Sequence, residues 1–287
     1  MKYWDIFLRS FADYGRYLVH EISHPSIENY FYWLIGISLF FFLLEYVKPW
    51  HRNQKLIRRD FWLDAFYMFF NFFLFSLIGF AAISNVAISA FDDLLALAGL
   101  ENIVAIQLNT LPVWLQLVIL FIYVDFLSWC IHYLLHHNQR LWEFHKVHHS
   151  VKEMGFAAQM RYHWIENIIY NALKYIPVAI IGFGIQDYFL IHIISFGIGH
   201  FNHSNFDFSL GPLKYIFNNP KMHIWHHAKT LPNPYGVNFG ISLSIWDYVF
   251  RTNYIPSDGH DIELGFQGDE NFPPDFVHQN LSGFKQA

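Results

Sequence analysis

The chain has 287 residues, enough for one large domain or two small ones. Hydrophobic residues make up 54% of it, aromatic residues 21% and charged residues only 14%, against about 25% charged in an ordinary soluble domain; such a composition belongs in a membrane. The net charge of −5, with no basic cluster, argues against nucleic acid as a partner, and a single cysteine, Cys130, excludes an intrachain disulfide and a cysteine-rich zinc site.

Residues 1–29 begin with charges throughout and no uninterrupted apolar core, unlike a cleavable signal. Trp4, Ile6, Phe7, Leu8, Phe11, Tyr14 and Leu18 recur at roughly helical spacing. This predicts an amphipathic helix, lying on a membrane surface or on the surface of the protein. Residues 30–47, 61–90 and 111–131 are each apolar and long enough to span a hydrocarbon core, which takes roughly 20 residues. The segment between the first two carries Lys48, Arg52, Lys55, Arg58 and Arg59, whereas 91–110 has no Lys or Arg. The positive-inside rule then puts 48–60 in the cytoplasm and 91–110 on the opposite side. Arg140, Lys146 and Lys152 agree with a cytoplasmic position for the stretch after the third span.

The next apolar block, 165–199, is interrupted by Pro177 and by "GFGIQD" at 182–187. Two halves of this kind suit a helical hairpin that enters and returns. The expected fold is therefore all-α. A multi-pass membrane stalk of about four apolar blocks, the last a broken hairpin, carries a cytosolic, histidine-rich helical cap. The expected organisation is one integrated domain: an amphipathic segment at 1–29, transmembrane helices at 30–131, a catalytic region at 132–252 including the hairpin, and a polar tail at 253–287.

Thirteen of the 18 histidines fall between His132 and His227. "HYLLH" places His132 and His136 at i and i+4. "HKVHH" places His145, His148 and His149 at i, i+3 and i+4, and "HIWHH" repeats that spacing with His223, His226 and His227. On a helix those offsets share a face, within reach of one metal or two neighbouring ones. Imidazole suits iron, copper and zinc. Eight such rings exceed one ion's coordination capacity, so the count implies two metals. Asp125, seven residues before His132, falls on the same helix face and is a candidate to orient that ring. Glu166 and Asp247 are further carboxylates that could orient ligands. His137 points off the shared face, toward a supporting or substrate-channel position. His192 reads as a buried, hydrogen-bonded ring, and His20, His24, His51, His260 and His278 as structural or solvent-facing.

"DFLSWCIHYLLH", "HKVHHS" and "HIWHH" resemble the HxxxH, HxxHH and HxxHH boxes of the fatty acid hydroxylase/sterol desaturase superfamily. The resemblance runs from about Asp125 to Thr252. "NFGISLSIWDYVFRT" is similar to a further segment of that family, with Phe239 in place of Tyr and Arg251 in place of Gly. Tyr133 stands where the family often has Arg, and Trp164 where Pro is usual. "MRYHWIEN" and "HFNHSN" resemble two further family stretches, which implies His163 and His203 as additional ligands and Asn205 as a neighbour of the site. His200 could be a ligand, a support or a surface residue.

The resemblance implies an integral-membrane di-iron enzyme. Two iron ions with O2 would oxidise an unactivated C–H of a lipid such as a sterol, a fatty acyl chain or a lipid head group, by hydroxylation rather than desaturation. It implies a bacterial inner membrane or endoplasmic reticulum location, with the site on the cytoplasmic face. Zinc could replace iron on overexpression, since imidazole suits both. The sequence has no haem-binding His-Pro-Gly-Gly segment and no dinucleotide-binding Gly-x-Gly-x-x-Gly turn. Electrons would come from a separate partner, a cytochrome b5 or a ferredoxin with its reductase.

Two rival readings compete. "HEISH", His20 to His24, is a literal zinc-protease signature with Glu21 as general base. Pro25 follows at once, and no third ligand is indicated nearby. A metal transporter or sensor would place its ligands near the bilayer midplane, whereas these histidines cluster at span ends and in polar segments.

Overall fold

The computed structural model describes residues 1–27, 29–75, 81–100, 104, 108, 110–181 and 185–285. Eleven α-helices are described: α1 Lys2–Ser23, α2 Tyr30–Val47, α3 Phe61–Phe69, α4 Ala81–Leu97, α5 Val113–His137, α6 Gln139–His149, α7 Trp164–Ile181, α8 Ile185–His203, α9 Pro220–His226, α10 Ile245–Phe250 and α11 Phe276–Lys285. No strand occurs among the described residues. Isolated bridges Pro49–Phe206, Phe217–Leu243 and Ala228–Leu264 pin the loops instead.

Among the described residues two helices, α2 and α5, are long and apolar enough to cross a membrane. Trp33, Ile35, Leu39, Phe40, Leu43, Tyr46 and Val47 of α2 lie exposed, an apolar face that none of the described residues covers. Such a face suits hydrocarbon rather than water.

Residues 61–90, expected as one long span, form two helices. α3 passes into a π turn at Phe70–Leu74 and α4 starts at Ala81; residues 76–80 lie outside the described set. The π turn frees Asn71, whose Nδ2 donates to the carbonyls of Met160 and Tyr162 (3.0 Å each). Such insertions commonly mark functional segments. α1 runs antiparallel beside α4: Lys2 Nζ pairs with Asp93 (2.6 Å) and Asn85 Nδ2 donates to Ser10 Oγ (3.1 Å).

α7 continues through Pro177 to Ile181, so that proline does not break the helix. The expected turn at 182–187 lies partly outside the described residues, which resume with α8 at Ile185. Both ends of the excursion reach one place. Glu166, near the start of α7, touches His145, and His203, the last residue of α8, touches His148.

Small apolar clusters surround a polar centre. Val151, Met154, Ala158, Ile224 and Trp225 form one. Leu34, Met160 and Phe196 form a second, and Leu120, Val124 and Ile191 a third. The segment expected as a tail contributes α11, which packs on α6. Gln279 Oε1 there accepts from the buried Tyr67 hydroxyl at 2.9 Å.

Candidate metal centre

Two caps set the helices that carry the histidines. The Asn138 side chain accepts from Arg140 N (3.0 Å) and Leu141 N (3.1 Å), so α6 starts one residue after α5 ends. This corner sets His132 against His145 and His136 against His149, Nε2 to Nε2 at 3.2 Å in both pairs. α9 starts on the Asn219 side chain, which accepts from Met222 N (3.2 Å), with Pro220 in its first turn.

The rings sort into two buried groups: His132, His136, His145, His149 and His226, and His148, His203, His223 and His227. Within each, the ligand atoms lie within 4.8 Å of one another. Helical periodicity explains the sorting. In α5, in α6 and at the end of α9, where His227 is the cap, the i, i+4 pairs (132/136, 145/149, 223/227) each serve one group. The i+3 members, His148 and His226, turn about 60° off their pair and serve the other. Each HxxHH box thus bridges both groups.

Five rings are anchored through Nδ1. His132 donates to the Phe239 carbonyl (2.8 Å), His148 to Arg161 (3.1 Å), His203 to Gly199 (2.8 Å) and His226 to Val237 (2.8 Å). His145 donates to the Glu166 carboxylate at 2.8 Å. Carbonyl and carboxylate oxygens only accept, so these Nδ1 atoms carry the proton and each Nε2 presents a lone pair. His132 and His145 then face each other with two lone pairs at 3.2 Å, as do His148 and His203 at 3.2 Å. Neither pair can form a hydrogen bond; a cation between them resolves the conflict. His226 Nε2 is buried with no hydrogen-bond partner. The donor set therefore fits two metal ions, one in each group. Burial, and then neighbouring rings, hold His148, His149, His223 and His227 well below the usual imidazole range; burial above all brings His226 down to about 3. Neutral rings are the metal-binding form.

The supporting residues divide. Glu166 accepts from His145 Nδ1 through one oxygen, and its other oxygen accepts from His163 N at 3.2 Å. Asp247 acts through the backbone. It accepts from Phe239 N and Gly240 N (2.8 Å each) and from Trp129 Nε1 (3.0 Å), which fixes the carbonyl that holds His132. Asp125 does not touch His132. It accepts from Ser242 N (2.8 Å), Leu243 N (3.1 Å) and Trp246 Nε1 (2.9 Å), and so clamps the loop leading into α10. Gly236, at φ +92°, leaves room beside His136: a Cβ there would meet its Nδ1 at 2.8 Å.

Several expected residues stay out of both groups. His163 donates from Nε2 to the Asn280 carbonyl (2.8 Å), and its Nδ1 accepts from Ile165 N (3.1 Å), so neither nitrogen is left for a metal. His200 is buried, with one nitrogen on Gln159 Oε1 and the other on Ser38 Oγ. His137 donates to the Tyr133 carbonyl (2.8 Å) and stacks between Tyr133 and Tyr235, beside a separate cavity. Asn205 accepts from His51 N (2.7 Å), not from a histidine of either group. His20 and His24 stack at 4.3 Å on the exposed end of α1 and join no metal-ligating group among the described residues.

A buried cluster of three charged residues holds the frame. Asp64 bridges Arg58 and Arg161, all three fully buried, and Arg161 is the residue whose carbonyl holds His148. A lone acidic residue inside an otherwise apolar block is the signal that points to Asp64.

A cavity of about 530 Å³ opens on the site. His132, His145, His148, His203 and His223 line it, with Phe72, Phe73, Met160, Ile191 and Phe196 on its walls and Tyr14, Tyr17, Leu18 and Glu21 of α1 closing another side.

Residues 117–252 match the fatty acid hydroxylase family. Among characterised proteins, the chain is 32% identical to an ornithine lipid hydroxylase of Rhizobium tropici over 55% of this chain and 47% of that protein. It is 30% identical to an alkylglycerol monooxygenase of Caenorhabditis elegans over 52% of this chain and 28% of that protein. It is 27% identical to a very-long-chain aldehyde decarbonylase of Oryza sativa over 54% of this chain and 26% of that protein. The chain thus spans less than half the length of each of these relatives. No solved structure matches.

Proposed function

We propose, for a chain that belongs to the fatty acid hydroxylase/sterol desaturase superfamily, that it is an O2-dependent oxidoreductase of a membrane that hydroxylates a C–H bond of a lipid. The observation that carries this reading is the pair of buried, nitrogen-only ligand groups opening on a largely apolar cavity. Two iron ions, when bound, supply O2 activation; nitrogen donors of this kind also take zinc. The overall change consumes O2, two electrons and two protons, and gives an alcohol and water. The electrons come from a separate cytochrome b5, or a ferredoxin with its reductase.

The chain's own residues do the rest. The five anchored rings hold their Nε2 lone pairs inward, so the site needs little rearrangement to bind metal. The Glu166 carboxylate, accepting from His145 Nδ1, makes that ring a stronger donor. Phe72, Phe73, Ile191 and Phe196 give an aliphatic chain an apolar path and exclude water from the reacting carbon. The relatives' names, a hydroxylase and a monooxygenase, favour hydroxylation over desaturation.

We further infer that α2, the apolar block 61–90 and α5 cross the bilayer, that α7 and α8 enter and return, and that the metal centre sits at the cytoplasmic end. The convergence of Glu166 and His203 on one site supports the return. Lys48, Arg52, Lys55 and Arg59 support the orientation. Among the described residues the protease reading has no third ligand to stand on.

Lipid extracts from cells expressing the wild type, His148→Ala or His226→Ala, compared by mass spectrometry, test the activity. A lipid gaining one oxygen should appear with the wild type alone. Unchanged lipids with metal-loaded wild type and a supplied electron donor would sink the reading. Glu21→Gln, at the cavity wall, should still oxidise lipid; an inactive Glu21→Gln beside active histidine variants would favour the protease.

A further inference from the structure

One wall of the cavity carries a charge that the metal centre does not use. Glu166, Tyr170 and Lys174 follow each other at i, i+4 and i+8 on α7, and all three line the cavity. That spacing stacks them along one helix face. Glu166 sits at the metal end, on His145. Lys174 lies about 12 Å further along the helix axis, at 1.5 Å per residue. Its ammonium stands over the Tyr170 ring at 4.8 Å. No carboxylate lies within ion-pair distance of it among the described residues; Asp125, which lines the same cavity and is held by Ser242 N, Leu243 N and Trp246 Nε1, attracts it from further away. A cation held in an apolar helix of this kind is costly, and in a membrane protein such a residue commonly meets a substrate group.

We propose that Lys174 binds the acidic group, carboxylate or phosphate, of an amphiphilic substrate lying along the α7 wall. This rests on the proposed lipid oxidation and names its substrate class: a chain bearing an anionic group. The Tyr170 face holds the ammonium in place from one side and leaves the other for the anion. The acid is then fixed at one end of the wall and the histidines at the other. The carbon offered for oxidation is accordingly one well along the chain, not the one beside the acid. Phe72, Phe73 and Phe196 supply the apolar surface between.

Equilibrium binding of radiolabelled dodecanoate, dodecyl phosphate and 1-dodecanol to the full chain in phosphatidylcholine nanodiscs tests this, with empty nanodiscs as background. At least one of the two acids should bind the wild type about tenfold or more tightly than the alcohol, as expected for one good charge-assisted contact. Which acid shows the preference tells a carboxylate from a phosphate. Lys174→Met should erase the preference and Lys174→Arg should keep it. Equal binding of both acids and the alcohol to the wild type overturns the proposal, and so does a preference that survives in a folded Lys174→Met. The wild-type comparison needs no variant, so it decides even if Lys174→Met fails to fold. Binding is read without turnover. Acid preference in a His148→Ala protein that oxidises nothing keeps this proposal standing, whatever becomes of the reaction assigned to the metal centre.

Discussion

At the scale of single residues, the ligand set follows from where each imidazole's second nitrogen goes. His132, His148, His203 and His226 donate from Nδ1 to backbone carbonyls, and His145 to a carboxylate, so their Nε2 atoms are committed to the centre. His163 shares the composition of its neighbours but has both nitrogens occupied. Spacing marks which histidines share a helix face, so the three boxes were legible in the sequence. Spacing is silent on a ring's hydrogen-bond partners, so neither the exclusion of His163 nor the indirect roles of Asp247 and Asp125 could be read there. Glu166→Gln should lower metal affinity about 10- to 100-fold, the usual effect of removing a ligand's orienting partner, as measured by chelator competition. Unchanged affinity would remove Glu166 from the account. A pH dependence follows from the same rings. His226 is depressed from its ordinary 6.5 to about 3 in the folded chain. Between those values the unfolded chain binds the extra proton. Stability is therefore complete above about pH 6.5 and falls as the pH drops toward 3, and metal leaves as protons are taken up. Melting and metal retention followed from pH 8 to pH 4 should both decline together; greater stability at pH 4 would contradict the assignment.

At the scale of elements, hydropathy located the apolar blocks but not their internal breaks. Residues 61–90 read as one run because Phe and Leu continue across it, yet the chain inserts a π turn where Asn71 must reach two carbonyls of the 160–162 segment. Pro177 read as a break, and α7 nonetheless continues through it, as apolar helices tolerate when their neighbours compensate. α11 was hidden in a polar tail because its value lies in long-range contacts, such as the Asn280 carbonyl under His163. The Arg58–Asp64–Arg161 bridge joins α3 to the residue that anchors His148. Asp64→Ala leaves the buried Arg58 guanidinium without its carboxylate and Arg161 with Asp60 alone (3.2 Å), at a cost of about 3–5 kcal/mol. A denaturation midpoint close to the wild type's would show that the bridge does not hold the frame.

At the scale of the whole molecule, two histidine groups sit where helical corners from four separate helices meet, ringed by small apolar clusters. Arg58 and Lys146, which read as free cytoplasmic charges, are buried in ion pairs with Asp64 and Glu143. Lys48, Arg52, Lys55 and Arg59 remain to set orientation. In a Cys130→Ser background, cysteines placed at the exposed positions Glu153 and Thr230 should label from the same side of the membrane, and one at Asp92 from the other. Opposite labelling of 153 and 230 would break the proposed return of α7 and α8.

Metal analysis of the purified chain tests most directly the division of each HxxHH box between two metal sites. The wild type should hold two ions per chain, iron or substituted zinc. His226→Ala, in one group, and His223→Ala, in the other, should each lower that number. A wild type that oxidises lipid normally with one ion or none, or variants that both keep two, would contradict it.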